Sequence, residues 1–553
     1  MTQNGSTGGM QPAWSGVVIS GSLTDGVTAR LDAGSSVEDI KVGTLAAIEG
    51  ERMRFLGEIT DVSLESADRN LGAAPPDTSD PFIAQVVSGT TAYGTIKVAP
   101  RLVLDKEAAL SDEQAHMPAK TVPSHFSRIS QATAQDIEMV YGSEDDQHFW
   151  IGNPLDMETK LCLDVRRLVE RSNGVFGKSG TGKTFLTRLL LAGILQSGEA
   201  VNLVFDMHGE YGWRGSAEGS TREVKGLKQL FGSKVAVFAL DAESVKRKRL
   251  NPDYMVKIGY EEIEPEDIQI LRGALNLSEV AADIPYSLQR KFSKRTWLKE
   301  FLALQPEAIA DLATEMNVNQ GAMATLHRRL GRLDRFSFMD PTGAHDSVGR
   351  LLDYLNRGMH VVLEFGGYGN DLLAYVLVAN LLTRRIHQRY VDMKERALSE
   401  MSPEPRPLVI TIEEAHRFLM PGIAEQTIFA TIAREMRKYN VTLLVVDQRP
   451  SSIADEIMSQ VGTKLVCLLD DENDVKAVLT GVSGGSKLRT VLASLDSKQQ
   501  ALAFGHAVPM PVVFRTRDYG TTESYKSFGY LDEAERKVKM EKDLADLYGP
   551  EDE

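Results

Sequence analysis

Cysteine is scarce in this sequence. Cys162 and Cys467 are the only two in 553 residues, each sits in an apolar run, and no CxxC pair occurs. This excludes a disulfide framework and a cysteine-based zinc module, and predicts two buried, reduced thiols of a cytoplasmic protein. Positive charge is also short: Lys+Arg number 62 against 77 for Asp+Glu, a net charge of −15. Duplex DNA wrapped around the outside would call for a basic face, which this balance does not supply. A nucleic acid gripped by a few loops inside a pore remains compatible with it. Long hydrophobic runs are missing, and no window approaches the roughly 20 apolar residues that cross a bilayer. Residues 1–13 carry no Lys, no Arg and no apolar stretch, so they are expected to form a flexible tail rather than a signal peptide. Solenoid-type repeats and low-complexity tracts are absent as well.

The chain does have length and apolar content. At 553 residues and 42% hydrophobic composition it is too long for one core and rich enough for several. From Trp14 to Val122 short apolar runs alternate with turn clusters: Val17–Ser20, Val27–Leu31, Thr44–Glu49, Met53–Val62, Phe82–Ser88 and Gly94–Val98. This pattern predicts a small N-terminal β-barrel over 14–122, without a long helix. Residues 123–160 are polar and read as a connector.

After Leu161 the grammar changes. Apolar runs at Gly174–Phe176, Val201–Phe205, Val235–Leu240, Val361–Glu364, Leu408–Ile412, Thr442–Val446 and Leu465–Leu469 alternate with helix-like stretches. Strands apolar along their whole length imply a sheet covered on both faces, hence an α/β core over 161–525. About 253–345 the chain is helical without a convincing strand, as in a helical insertion. Residues 526–553 form a charged tail, in which Asp532–Tyr548 has helix-forming composition.

The sharpest local signal is Gly177-Lys178-Ser179-Gly180-Thr181-Gly182-Lys183-Thr184. It follows an apolar strand and precedes an amphipathic helix, Phe185–Gln196, as a phosphate-cradling P-loop requires. Glycines let backbone N–H groups curl around phosphates, and the helix N-terminus adds its positive dipole end. Lys183 supplies a point charge to the β- and γ-phosphates, and the Thr184 hydroxyl is a Mg²⁺ ligand. Hydrolysis also needs acids at the end of another strand. Leu408–Ile412 runs directly into Glu413 and Glu414, a Walker B pattern with Glu at its first acidic position. Glu413 is expected to orient the Mg²⁺ shell and Glu414 to position the attacking water. Two roles are open to Asp206, at the end of Val201–Phe205: approach to the metal and phosphates, or capping its own loop. Two are open to Gln448 as well: sensing the γ-phosphate, or closing a turn.

Transition-state charge needs cations beyond Lys183. On a helix over Glu425–Lys438, Ile428, Ile432 and Met436 share one side, while Arg434, Arg437 and Lys438 share the other. That basic side either meets a neighbouring subunit's phosphate or is simply solvated. Ser483-Gly484-Gly485 reads as a flexible turn, and Lys246–Arg249 either as a solvated charge run or as a contact for nucleic acid. No Asn-Lys-x-Asp motif reads guanine, so ATP is the expected nucleotide.

Taken together, Gly177–Thr184, Asp206–Tyr211, Glu413–His416, Arg434–Asn440 and Gln448-Arg449-Pro450 resemble the HerA family, within the HerA/FtsK group of ring motors. The resemblance covers about Trp14 to Tyr519. It implies a RecA-like P-loop ATPase core behind the barrel, a homohexamer with ATP and Mg²⁺ between subunits, and double-stranded DNA in a central pore. It also implies a catalytic role for Glu414, a trans arginine finger at Arg437 with Arg434 as the other candidate, a sensor at Gln448, and Arg171 near the phosphates. Met207 and Met436 stand where many relatives have Pro and Gly. Family members pair with a NurA-like nuclease, or with sirtuin-like or other effectors in phage defence. The expected function is therefore an ATP-driven DNA translocase or helicase working with such a partner. The alternatives are an ATP-switched ring scaffold that activates an effector and, less in keeping with the absence of a membrane segment, a conjugation or secretion ATPase.

Overall fold

The computed structural model describes residues 14–67, 75–105, 116–216, 223–343, 345–400, 402–435, 438–482, 484–530 and Glu535. The chain forms two compact units. One comprises Met1–Leu168, Phe176–Thr181 and Gly462–Arg517; the other comprises Val169–Val175, Gly182–Val461 and Asp518–Glu553.

The first unit contains a closed antiparallel ring. Its strands run in the order Gly26–Leu31, Ser15–Ser22, Arg128–Gln131, Leu45–Glu49, Met53–Ser66 and Ala92–Asp105, and the last pairs back onto the first. His116–Pro118 adds to the free side of Ala92–Asp105. Alternation explains the filling: Val27, Ala29 and Leu31 point inward with Val18, Ile48, Phe55, Ile59, Ile96, Val98 and Ile129. Strand Met53–Ser66 shifts register at Leu56/Gly57 and again at Ile59/Asp61, and such bulges bend a strand enough to close a narrow ring. At Gly57 the partner strand comes so close that a Cβ would lie 2.2 Å from the Ala99 carbonyl oxygen.

Two details differ from the sequence reading. The run Phe82–Ser88, read as a strand, lies in a helix, Pro81–Thr90, with Asp80 capping Phe82 N–H and Pro81 in the first turn. Phe82, Ile83 and Val86 remain exposed. The ring also uses Arg128–Gln131, a four-residue strand with one fully buried side chain, inside the stretch read as connector.

The same unit carries a second antiparallel sheet ordered Thr463–Val466, Gln500–Gly505, Val512–Thr516, His148–Pro154, Leu161–Asp164. The helix Ala134–Tyr141 starts with a capping box between Thr133 and Asp136. Arg54, from the ring, grips the Asp136 carboxylate with two N–H donors at 2.7 and 2.8 Å.

In the second unit the strands are ordered Tyr254–Met255, Val235–Ala239, His360–Glu364, Val201–Asp206, Leu408–Glu413, Val441–Asp447, Asn173–Phe176. The first six pair in parallel. Those from Val235 onward are buried along nearly their whole length, as strands covered on both faces must be. The strand Val441–Asp447 stands between the P-loop strand and Leu408–Glu413.

The region about 253–345 is largely helical, including Glu279–Phe292, Pro306–Glu315 and Gln320–Leu330. It is not free of strands, as the sequence suggested. Tyr254–Met255 adds to the sheet edge, and Ile258–Gly259 pairs in parallel with Met339–Asp340. Two-residue strands leave no periodic signature. Asp532–Tyr548 lies outside the described residues apart from Glu535. Among the described residues no helix is long and apolar enough to cross a membrane.

Candidate functional site

The glycine turn folds as its residue types demand. Gly180 and Gly182 have φ of +81° and +98°, a region that L side chains avoid. Within the turn, the Lys178 N–H donates to Leu468 O at 3.0 Å, Thr181 Oγ1 donates to Lys178 O at 2.8 Å, and Lys178 Nζ pairs with Asp470 at 2.7 Å. Ser179 and Gly180 are exposed, while Gly177 and Thr181 are buried. The helix Lys183–Ser197 begins directly after left-handed Gly182, and no side chain caps it. Lys183 is buried and Thr184 half-buried in that first turn. An N-terminus of this kind favours an anion.

Parallel pairing puts the carboxyl ends of the other strands along one edge. Register aligns Asp206 with Glu364, and Glu413 with Val446 beside Asp447. Asp206 is fully buried and accepts N–H bonds from Glu210 (2.8 Å), Tyr211 (2.8 Å) and Gly212 (3.2 Å). In this structure it acts as the cap of its own loop, one of the two roles its position left open. Tyr211, at the end of that loop, donates its hydroxyl to Glu413 Oε1 at 2.7 Å. Tyr375, on the helix Leu372–Glu400, donates to the Glu413 carbonyl at 2.8 Å. Glu413 Oε2 is buried and has no partner. Burial, reinforced by the neighbouring Asp206 charge, pushes the Glu413 carboxyl up to about 8. Glu364 is pushed up to about 7, again by burial first and then by Asp206. This edge holds more negative charge than its surroundings stabilise, which is the electrostatic condition for a cation.

Glu414 turns the other way. Its φ of +48° is left-handed for a residue with a side chain, a conformation that costs on the order of 1 kcal/mol and is held by its contacts. Gln448 Nε2 donates to Glu414 Oε1 at 2.7 Å. His416 Nδ1 lies 3.7 Å from Glu414 Oε2 and 3.0 Å from the buried carboxylate of Asp447. Asp447 also receives the His416 backbone N–H at 2.7 Å. The hydrogen bond to Asp447 raises the His416 pKa, so the imidazole tends toward a cation beside Glu414.

Glu413, Glu414 and Gln448 are thus brought together with Asp206 at one sheet edge. Arg171 precedes the strand Asn173–Phe176, whereas the glycine turn follows it, and strand rise separates them by roughly 3.3 Å per residue. Arg171 Nε is buried without a partner. Arg434 lies on the exposed side of the helix Ile428–Glu435 and pairs with Glu456, while Phe429, Ile432 and Ala433 are buried. Arg437 and Met436 lie outside the described residues. Tyr211, Tyr375, His416 and Asp447 had no assigned role in the sequence reading. Only the two strand ends hinted at them, because a tyrosine's reach across a sheet leaves no local pattern.

The residues present fit a magnesium ion. Glu413 Oε2 is an orphaned buried oxygen, and Thr184 offers a hydroxyl at the helix start. Among the described residues no cluster of three His, Cys, Asp or Glu side chains forms a cage.

Comparison with known proteins agrees with the motif pattern. Residues 149–386 match the family described as "Helicase HerA, central domain". The chain is 25% identical over 497 residues to the DNA double-strand break repair helicase HerA of Saccharolobus solfataricus, covering 86% of this chain and 87% of that protein. It is 23% identical over 509 residues to the protein of the same name from Sulfolobus acidocaldarius, covering 90% and 92%. Among solved structures, the trigonal form of the conjugative coupling protein TrwBdeltaN70 in complex with sulphate superposes with a TM-score of 0.46 at 14% identity, over 71% of this chain and 95% of that one. On these residues and these matches, the chain carries the HerA helicase central-domain pattern over 149–386 and is similar to HerA-named repair helicases at 23–25% identity over most of its length.

Proposed function

We propose that the protein is an ATP-driven DNA translocase or helicase with a RecA-like core, acting as a homohexameric ring in the cytoplasm. The observation that carries this reading is the divergence of the twin glutamates. Glu413 faces inward with an unpartnered oxygen, and Glu414 is held in a left-handed turn by Gln448. One strand end therefore presents two carboxylates with different surroundings, which suits one to the metal and the other to the attacking water.

In this reading the glycine turn Gly177–Gly182 binds the phosphates of ATP. Lys183 neutralises the β- and γ-oxygens, and Thr184 with Glu413 would hold Mg²⁺, which when bound neutralises phosphate charge. Tyr211 and Tyr375 fix the inward carboxylate from its side-chain and backbone ends. Glu414 orients the attacking water and takes up its proton on the carboxylate. His416, backed by Asp447, flanks that carboxylate from its other oxygen. Gln448, bonded to Glu414, reports the γ-phosphate by exchanging this contact. Arg437, or else Arg434, supplies the finger to the adjacent subunit, and Arg171 approaches a phosphate across the same ring interface. Double-stranded DNA passes through the pore, and a nuclease (NurA-like) or a defence effector (sirtuin-like or other) docks on the ring.

Support comes from the sheet-edge geometry and from relatives named as repair helicases. The test is ATP hydrolysis with and without duplex DNA over a salt series, together with native mass spectrometry. The expected result is a sixfold assembly, stimulation by DNA, and binding that weakens steeply with salt. Salt-independent binding, or no stimulation by any DNA, would refute the reading.

A further inference from the structure

Arg188 has no part in the mechanism above, yet it is fully buried on the helix that carries Lys183 and Thr184. Burying a guanidinium is expensive unless its donors are used. Here Nε donates to the Glu210 carbonyl at 3.0 Å, one terminal nitrogen donates to the same oxygen, and the other finds no partner. Its guanidinium carbon lies 5.3 Å from the Phe185 ring centroid and 5.6 Å from that of Tyr519. Tyr519 is itself pinned, donating to Lys225 O at 2.8 Å and packing against Tyr525 and Phe528. Gly215 makes room: a Cβ there would lie 2.2 Å from the guanidinium. An apolar side chain would fill this space at lower cost. What Arg188 adds is a fixed grip on one carbonyl.

That carbonyl belongs to the residue before Tyr211, whose hydroxyl holds Glu413 Oε1. A single path therefore runs from the phosphate-binding helix through Arg188, Glu210 and Tyr211 to the inward carboxylate. We propose that Arg188 is a positioning residue for ATP hydrolysis. By clamping the Glu210 carbonyl it sets Tyr211, and Tyr211 sets the Glu413 carboxylate, so that the helix bearing Lys183 and the carboxylate move as one. This inference rests on the assignment of Glu413 to the hydrolytic site.

The test is a double-variant cycle on the full-length protein: wild type, Arg188→Lys, Tyr211→Phe and the pair, with Gly215→Ala as an independent way to displace the guanidinium. Each substitution is small, and thermal melts check that each variant is folded. Each single variant is expected to lower kcat between about 10- and 100-fold, as a misplaced catalytic group does, with KM and ATP binding within about threefold of wild type. The pair is expected to be no slower than its slower member, because both act through one carboxylate. Gly215→Ala should reproduce the loss without removing a polar atom. Losses that multiply in the pair, or a lowered melting temperature with unchanged kcat, overturn the inference while leaving the ATPase assignment intact. A wild type that hydrolyses no ATP overturns the proposed function and this inference with it.

Discussion

Substituting Glu413 by Gln isolates the electrostatic state of the sheet edge. In the folded chain burial and Asp206 raise the Glu413 carboxyl from 4.5 to about 8. A raised carboxyl pKa means that the folded state keeps a proton the unfolded chain has lost. Its stabilising contribution is complete below pH 4.5, declines as pH rises and is gone above pH 8. Each unit is worth 1.36 kcal/mol. From pH 4.5 to pH 7 the wild type is thus expected to lose about 3 kcal/mol from this group alone. Glutamine removes the titration but keeps an oxygen for the Tyr211 hydroxyl. Its amide donors carry a constant cost, which cancels when the variant-minus-wild-type difference is compared between two pH values. The assay is thermal unfolding without nucleotide and with a chelator, at pH 5 and pH 7.5. The variant should gain on the wild type by about 5 °C between them. The neighbouring Asp206 and Glu364 titrate with Glu413 as a group, so part of the gain comes from their relief. A difference independent of pH, or one that favours the wild type more as pH rises, would refute the reasoning.

Glu414→Gln should keep ATP binding and lose hydrolysis by at least about 100-fold, read by equilibrium binding and phosphate release. Rings of Arg437→Ala mixed with Lys183→Ala subunits should regain part of the activity that each lacks alone, because the two residues would meet across an interface; normal hydrolysis by Arg437→Ala rings would reject the finger assignment. Lys464 is buried, donates to the carbonyls of Val478 and Thr480, and is pushed down to about 8 by burial. Its folded pKa lies below its unfolded one, so wild-type stability should rise by about 3 kcal/mol between pH 8 and 10.5, and denaturant titrations of Lys464→Met should lack this rise. Gly57→Ala should destabilise the ring by about 2 kcal/mol or more, since the new Cβ meets backbone rather than a movable side chain; an unchanged melt would show that the bulge can open freely.

Much of this architecture is legible in the sequence because it is written locally. The turn Gly177–Thr184 needs its glycines for backbone reasons, and Lys183 follows them into a helix. Strands such as Val201–Asp206 and Leu408–Glu413 announce themselves by apolar runs, and Glu413-Glu414 by ending one. What is illegible depends on partners distant in the chain. The order that places Val441–Asp447 between the P-loop strand and Leu408–Glu413 is a pairing choice. The contacts of Tyr211 and Tyr375 with Glu413 follow from that choice, as does the His416–Asp447 pair that steadies Glu414. Arg188 looks like any arginine on an amphipathic helix until burial shows that it faces inward. Pro81–Thr90 misleads because Phe82, Ile83 and Val86 face solvent, so its composition resembles a strand while its cap at Asp80 makes it a helix.

The central claim is that the inward and outward glutamates of one strand end serve a single metal-bound triphosphate. It is tested most directly by the structure of the Glu414→Gln ring with ATP and Mg²⁺. The account expects Lys183 Nζ on the terminal phosphates, Glu413 Oε2 turned to the magnesium shell and the residue 414 amide facing the attacking water. Nucleotide bound elsewhere, or a magnesium shell that leaves Glu413 Oε2 buried and unpartnered, would contradict it.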